Sequence, residues 1–227
     1  ILTGGISPLS RRYGLAIDSM VSAKGYLGNG DYFSLDIDNL NNNEIMIWEG
    51  IKGAAPFFSI ITEIGLKTFE SNRILIFEGF VQEKELEELI LEAEKFPENM
   101  SFQFIFSDKI YVYIVAELKT EKDNKLAENY ILFFDKYISL NHKIYENFNK
   151  INFFPAELNL FEFNSNYFSE VISLLGKELK GNISLFIKEL IKINESKPNK
   201  SCYVASQQLG CKSSKENIYN SSFVHRE

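Results

Sequence analysis

The stretch SFQFIFSDKIYVYIVAEL, residues 101–118, decides the fold class of this 227-residue chain. Its two arms are rich in aromatic and β-branched residues, which favour β-strands because they pack well on a pleated surface. The three residues between the arms, Ser107, Asp108 and Lys109, suit a short polar turn. The stretch therefore predicts an antiparallel β-hairpin.

Outward from this hairpin, helical and strand-like segments follow one another without a regular alternation. Apolar residues recurring at helical spacing predict amphipathic helices, and short apolar or alternating runs predict strands. The helices are predicted at residues 57–69, 82–96, 123–148, 167–175 and 183–191, and the strands at residues 73–80 and 156–163. This mixture indicates an α+β fold, with a largely antiparallel sheet built from hairpins and amphipathic helices packed on one face.

The character of the chain changes near residue 196. Beyond this point Ser, Lys, Asn, Gln and Gly dominate, and apolar residues stand alone. A segment of this kind buries little apolar surface, so it gains little from packing on a core. We predict a single α+β domain over residues 1–195, followed by a polar C-terminal tail or loosely attached extension over residues 196–227.

A second hairpin is predicted near the N-terminus, in YFSLDIDNLNNNEIMIWEGI, residues 32–51. An Asn-rich turn would join a strand over residues 32–38 to a strand over residues 44–51. Asp36 and Asp38 are two residues apart, so their carboxylates share one face of the first strand. We interpret that face as the solvated side of the hairpin. In an alternative reading, Asp36 and Asp38 hold Mg²⁺ and act with Glu49 on nucleotides or phosphodiesters.

The charge and the cysteine content restrict the partners. The formal net charge is −7 and the pI is about 5.1, which disfavours duplex nucleic acid and an anionic membrane surface as partners. Neither the two cysteines nor the two histidines have the spacing of a zinc site. We therefore predict a cytoplasmic protein whose thiols stay reduced. No apolar run reaches the length that crosses a bilayer.

The predicted helix over residues 82–96 carries a cluster of acidic residues opposite its apolar face. A solvated surface accounts for this pattern, and a docking surface for a basic protein is the functional reading. The acidic residues are Glu83, Glu85, Glu87, Glu88, Glu92 and Glu94.

The sequence alone favours a non-enzymatic function without a cofactor. We expect an acidic module that binds another protein, in the manner of an antitoxin, an immunity protein or a chaperone-like partner. The alternatives are the Mg²⁺-dependent enzyme described above and a structural or capsid-type subunit. The binding prediction rests on the glutamate-rich helix and on the lack of a recognisable catalytic set.

Overall fold

A computed structural model describes residues 1–137, 140–152, 181–199 and 202–215. The chain forms two compact units, one of Ile1–Glu70 with Leu209–Glu227 and the other of Ser71–Gln208. We call them unit 1 and unit 2. The strand predicted at residues 156–163 and the helix predicted at residues 167–175 lie outside the described residues.

Unit 1 contains a three-stranded antiparallel sheet and one long helix. Strand order is β2-β1-β3, and the core is formed where helix α2 covers the sheet, through Trp48, Ile51 and Ala55. The elements of the unit are α1 (Ser10–Tyr13), β1 (Met20–Leu27), β2 (Tyr32–Asp36), α2 (Asn42–Phe58), β3 (Ser59–Leu66) and α6 (Lys212–Lys215).

The predicted hairpin over residues 32–51 is wrong in its second half, which is the first part of α2. Asn41 caps this helix by accepting hydrogen bonds from the backbone N–H groups of Asn43 and Glu44, at 3.0 and 3.1 Å. The Glu44 carboxylate accepts in return from the Asn41 N–H at 2.9 Å, which completes a capping box. Helical spacing then buries Trp48 and Ile51 on one face. Local capping and helical burial therefore outweigh the strand propensity of this segment.

The helix predicted at residues 57–69 is also wrong, because Ser59–Leu66 forms β3. The segment contains the β-branched residues Ile60, Ile61, Thr62 and Ile64, and its backbone pairs with β1 along the length of the strand. Helix α2 meanwhile continues to Phe58 across a break at Lys52 and Gly53, where Gly53 has φ 130°. Pairing with an available strand edge therefore determines the structure of this segment.

Unit 2 contains a five-stranded antiparallel sheet in the order β7-β4-β6-β5-β8. The hairpin that decided the fold class is present as β5 and β6, with residue 106 paired to residue 110. The other elements confirm the predicted helix at 82–96, strand at 73–80 and helix at 183–191. The ranges are β4 (Arg73–Val81), α3 (Glu83–Ala93), β5 (Met100–Phe106), β6 (Ile110–Leu118), α4 (Glu121–Tyr137), β7 (Asn141–Tyr145), α5 (Ile183–Glu195) and β8 (Val204–Gln207).

One core joins the sheet of unit 2 to the three helices that the structure describes in this unit. Apolar side chains of β4, β5 and β6, including Phe77, Phe104 and Ile114, pack against Leu86 of α3 and Phe134 of α4. Side chains of α5 join the same cluster. The predicted α+β class, with an antiparallel sheet and amphipathic helices on one face, is confirmed.

Two boundaries in unit 2 differ from the prediction. The helix predicted over residues 123–148 ends at Tyr137, and Asn141–Tyr145 pairs with β4 as an edge strand. Val204–Gln207, inside the predicted tail, pairs with β5 as the opposite edge strand. The division into a domain at 1–195 and a tail at 196–227 stays a prediction. None of the helices in the described part of the chain is long and apolar enough to cross a membrane.

Candidate functional site

The second face of the unit 2 sheet, opposite the helices, carries buried polar side chains among the residues that the structure describes. Because side chains alternate along a strand, β5 directs Phe102 and Phe104 to the helices and Ser101 and Gln103 to the second face. Ser101 and Gln103 are buried, and Tyr111 on β6 is buried with them. A buried face with hydroxyl and amide groups differs from an ordinary core, since burying such groups is favourable only when they find hydrogen-bond partners.

Strand register lines up five polar side chains across the sheet, of which Gln103 and Tyr113 are buried. Glu78 on β4 is opposite Asn141 on β7 and Tyr113 on β6, and Gln103 on β5 is opposite Tyr113 and Gln207 on β8. Directly opposed residues of antiparallel strands project to the same face, with Cβ atoms about 4.5–5.5 Å apart. We call Asn141, Glu78, Tyr113, Gln103 and Gln207 the polar row. It contains one carboxylate, one phenol and three carboxamides.

The carboxylate of the row is held by a phenol from the next row. The Tyr111 hydroxyl donates a hydrogen bond to Oε2 of Glu78 at 2.6 Å. Burial, together with the adjacent carboxylate, raises the pKa of Tyr111. Burial also raises the pKa of Tyr113 to about 12. Both phenols therefore remain protonated at neutral pH, and both are hydrogen-bond donors on this face.

The carboxamides of the row are incompletely satisfied. Gln103 Nε2 donates to the Ser101 hydroxyl at 2.7 Å. Gln103 Oε1 and Gln207 Nε2 are both buried, and neither has a hydrogen-bond partner among the described residues. Gln103 itself is only 1% exposed. An acceptor and a donor on neighbouring strands of one face are thus available to another group.

A second carboxylate lies further along the same face. Glu117 of β6 is buried, and its Oε1 accepts a hydrogen bond from Asn72 at 2.8 Å. The Asn99 side chain donates to the backbone oxygen of Glu117 at 3.0 Å. These hydrogen bonds fix the C-terminal end of β6. Glu117 therefore has a structural role, and it lies at the opposite end of the strand from Tyr111.

The predicted metal residues belong to unit 1. Asp36 and Asp38 are exposed, and Asp36 Oδ1 accepts from the Asp38 N–H at 3.0 Å, which caps a short turn. Glu49 lies on α2. Within the described ranges, no group of three or more His, Cys, Asp and Glu side chains is arranged to hold a metal ion. The metal reading of Asp36, Asp38 and Glu49 stays a prediction.

The glutamates predicted to bind a partner lie on or beside α3. Three of them make contacts inside the chain: Glu85 accepts from the Gln82 N–H, Glu87 from the Ser184 hydroxyl, and Glu92 pairs with Lys95. The other three, Glu83, Glu88 and Glu94, are exposed. Docking of a basic protein on this helix stays a prediction.

Sequence reasoning missed the polar row although part of its signal was visible. In SFQFIF the single amide alternates with aromatic and aliphatic residues, and in IYVYIVAEL the tyrosines fall at every second position. Such alternation puts Gln103, Tyr111 and Tyr113 on one face. The opposing partners, Glu78 and Gln207, come from distant segments, so only the strand register brings them to the row.

Comparison with known proteins identifies the fold. No family model and no curated protein matches the chain. A chitooligosaccharide oxidase is similar at 17% identity and a TM-score of 0.67 over 99% of this chain and 50% of its own. The BBE-like protein #28 from Arabidopsis thaliana is similar at 17% identity and a TM-score of 0.65 over 99% of this chain and 48% of its own. A VAO-type flavoprotein from Myceliophthora thermophila C1 is similar at 14% identity and a TM-score of 0.50, over 65% and 29%.

These comparisons overturn two predictions made from the sequence. The chain spans half or less of the length of each of these three structures, and at these identities the likeness shows the fold. A structure that shares this fold over nearly the whole chain is an oxidase, so the prediction of a non-enzymatic binding module is wrong. Another is a flavoprotein, so the expectation of no cofactor is wrong as well. Both predictions relied on the lack of a familiar catalytic pattern in the sequence.

Proposed function

We propose that the protein carrying this chain is a flavin-dependent oxidase whose substrate binds on the second face of the unit 2 sheet. The fold shared with a chitooligosaccharide oxidase over 99% of the chain supports the reaction class. The observation that carries the assignment of the site is the hydrogen bond from Tyr111 to Glu78 on the polar row. This hydrogen bond fixes the Glu78 carboxylate beside a phenol that carries no charge.

Oxidation of an alcohol requires a group that accepts the hydroxyl proton. A bound flavin supplies the two-electron acceptor for such a reaction. Tyr111 engages one oxygen of the Glu78 carboxylate at 2.6 Å, and the second oxygen is the one we assign to receive the proton. A positioned general base of this kind contributes about 10²- to 10⁴-fold to a rate. Tyr113, whose phenol is protonated at neutral pH, orients the substrate by donating a hydrogen bond.

The residues present are chemically suited to a flavin. The neutral amide and phenol donors of the polar row suit the nitrogen and oxygen atoms of the ring edge. Gln103 Oε1 and Gln207 Nε2 are an acceptor and a donor that have no partner among the described residues, so such a group would complete their hydrogen bonds.

The test compares Glu78→Gln with Glu88→Gln in the protein carrying this chain. Glu88 is an exposed glutamate on α3 and serves as the matched control. Loss of flavin absorbance after anaerobic mixing with a panel of alcohols and sugars measures the rate of the reductive step. We expect Glu78→Gln to slow this step by about 10²- to 10⁴-fold, and Glu88→Gln to leave it unchanged. Purified protein that neither contains flavin nor takes up added flavin would contradict the proposal.

A cytoplasmic location accompanies this function as part of the proposal. It is supported by the low cysteine content of the chain, two residues in 227, since proteins of oxidising compartments more often rely on disulfides. Fractionation of the source cells, followed by detection of the protein with an antibody, checks the location directly.

A further inference from the structure

Lys109, in the turn between β5 and β6, brings a positive charge close to the polar row. Its ammonium lies 5.4 Å from the centre of the Phe80 ring. Phe80 follows Glu78 by two residues on β4, so their side chains project to the same face. A cation within about 6 Å of an aromatic ring is attracted to the ring face, so Phe80 helps to fix the ammonium. A cation is therefore held near the carboxylate that we assign as the base.

The Lys109 ammonium pairs with no carboxylate in the part of the chain that the structure describes. Asp108, its neighbour in the turn, pairs instead with Lys197 at 2.8 Å. An ammonium has three donors and no acceptor. In a chain whose net charge is −7, Lys109 thus keeps its charge and its donors available for an anion.

The surroundings of Lys109 are open to a ligand. Lys109 itself is exposed, and Phe80 is 41% exposed. The Tyr111 ring lies 5.4 Å from the Phe80 ring, and the Tyr111 hydroxyl donates to Glu78. An accessible aromatic ring therefore lies next to a cation and, two residues along the strand, next to the carboxylate that we assign as the base.

We propose that Lys109 binds a carboxylate of the substrate, which makes the substrate a short hydroxy acid with an aromatic or apolar centre. Hydrogen bonds between an ammonium and a carboxylate are charge-assisted, and they are stronger than those between neutral groups. The Lys109 charge also offsets the repulsion between Glu78 and an anionic substrate, while the centre of the molecule packs on Phe80. This inference rests on the proposed function, because Glu78 is taken as the residue that receives the hydroxyl proton.

The spacing of Glu78 and Phe80 limits the length of the substrate. Alternate residues of a strand are about 7 Å apart, and the Lys109 ammonium lies beside the second of these two residues. The reacting hydroxyl and the carboxylate are therefore separated by about the length of one six-membered ring with a substituent at each end. The anion para-(hydroxymethyl)benzoate has this form, and para-(hydroxymethyl)benzamide has nearly the same shape without the charge.

Lys143 on β7 provides a matched control for Lys109. It is exposed, its ammonium lies 4.9 Å from the centre of the Tyr145 ring, and it pairs with no carboxylate among the described residues. Tyr145 is opposite Ile74, four residues from Glu78 on β4, which is about 13 Å along the strand. Lys143→Met thus removes the same charge and the same type of ring contact, at a distance that the short substrate does not reach.

The test is isothermal titration of the protein carrying this chain with the benzoate and with the benzamide, at low salt and without turnover. We expect the wild type to bind the benzoate about ten-fold more tightly than the benzamide. Lys109→Met should abolish this preference, whereas Lys109→Arg and Lys143→Met should retain it. Added salt should reduce the preference, because it screens an exposed pair of charges.

Three results would overturn the inference. They are equal affinities of the wild type for the two compounds, no binding of either compound, and an equal loss of preference in Lys109→Met and Lys143→Met, which indicates diffuse attraction to surface lysines. The two proposals are separable, because titration measures binding alone and Glu78→Gln tests the reductive step. Binding of the benzoate at Lys109 in a protein that lacks flavin chemistry would contradict the proposed reaction and leave the carboxylate site in place.

Discussion

The two faces of the unit 2 sheet have different compositions although they are built from the same strands. Toward the helices the side chains are almost entirely aliphatic or aromatic, such as Phe77, Phe104 and Val112. Toward the second face the alternate residues include Glu78, Gln103 and Tyr113. Because the side-chain period of a strand is two, one residue step separates a position that stabilises the fold from one that is available for chemistry.

The largest expected effect on stability comes from the helix-facing side. Phe77 is 0% exposed and packs its ring 4.7 Å from the ring of Phe134. Phe77→Ala removes a large buried side chain and leaves a cavity, so we expect the free energy of unfolding to fall by about 3–5 kcal/mol. Urea denaturation followed by circular dichroism measures this change.

Leu132→Ala is the matched control for Phe77→Ala. Leu132 lies on α4 near Phe134 in sequence but is 69% exposed, so truncation should change the free energy of unfolding by less than about 1 kcal/mol. Equal losses in the two variants would show that the helix-facing side is not the main stabilising surface. If Phe77→Ala and Glu78→Gln lower the free energy of unfolding by the same amount, the two faces do not differ in their contribution to stability.

An intermediate effect is expected at the contact that holds the proposed base. Tyr111→Phe keeps the ring and its packing against Phe80 but removes the hydroxyl that donates to Glu78. Hydrogen bonds to charged groups contribute about 1.5–3 kcal/mol, so the free energy of unfolding should fall by an amount near the lower end of this range. We also expect the reductive rate to fall about ten-fold, since the carboxylate loses its fixed orientation.

The combination of effects separates positioning from packing. A structural role alone predicts that Tyr111→Phe lowers the melting temperature and leaves the rate and its pH profile as in the wild type. A positioning role predicts a lower rate constant with little change in substrate affinity. It also predicts that Tyr111→Phe does not lower the rate much further in a protein that already carries Glu78→Gln. Additive losses in the double variant would contradict the shared role of the two residues.

The sequence predicts the helix-facing side well and the second face poorly, for a physical reason. The apolar periodicity of residues 82–96 and the β-rich arms of residues 101–118 are local signals, and both elements are present. The polar row depends on the registers of four strand pairs, and one of these pairs, β5 with β8, joins segments about 100 residues apart. No window of sequence contains that information.

The two incorrect secondary-structure predictions in unit 1 have a different origin. The segment after Asn41 has apolar and β-branched residues that suit a strand, but its start also carries Asn41 and Glu44 at the spacing of a capping box. The capping signal is a local one and was present in the sequence. Residues 59–66 show the reverse case, because helical spacing of their apolar residues is overridden by pairing with β1.

The smallest expected effect is a dependence of stability on alkaline pH that belongs to the second face. Burial raises the pKa of Tyr113 to about 12, above its ordinary value of 10.0. Above pH 10 the unfolded chain releases this proton while the folded chain retains it, so stability is lost as the pH rises from 10 toward 12. The slope from one such group is at most about 1.4 kcal/mol per pH unit. Tyr111, whose pKa is also raised, adds to the loss in the same direction.

Tyr113→Phe should therefore flatten the fall of stability above pH 10 while leaving stability at neutral pH nearly unchanged. Urea denaturation of the wild type and the variant at several pH values between 8 and 11 measures the difference. Tyr26→Phe is the control, because Tyr26 is an exposed tyrosine of unit 1. If Tyr113→Phe and Tyr26→Phe follow the same curve, burial does not raise the pKa of Tyr113, and the second face would not be the buried surface that the structure describes.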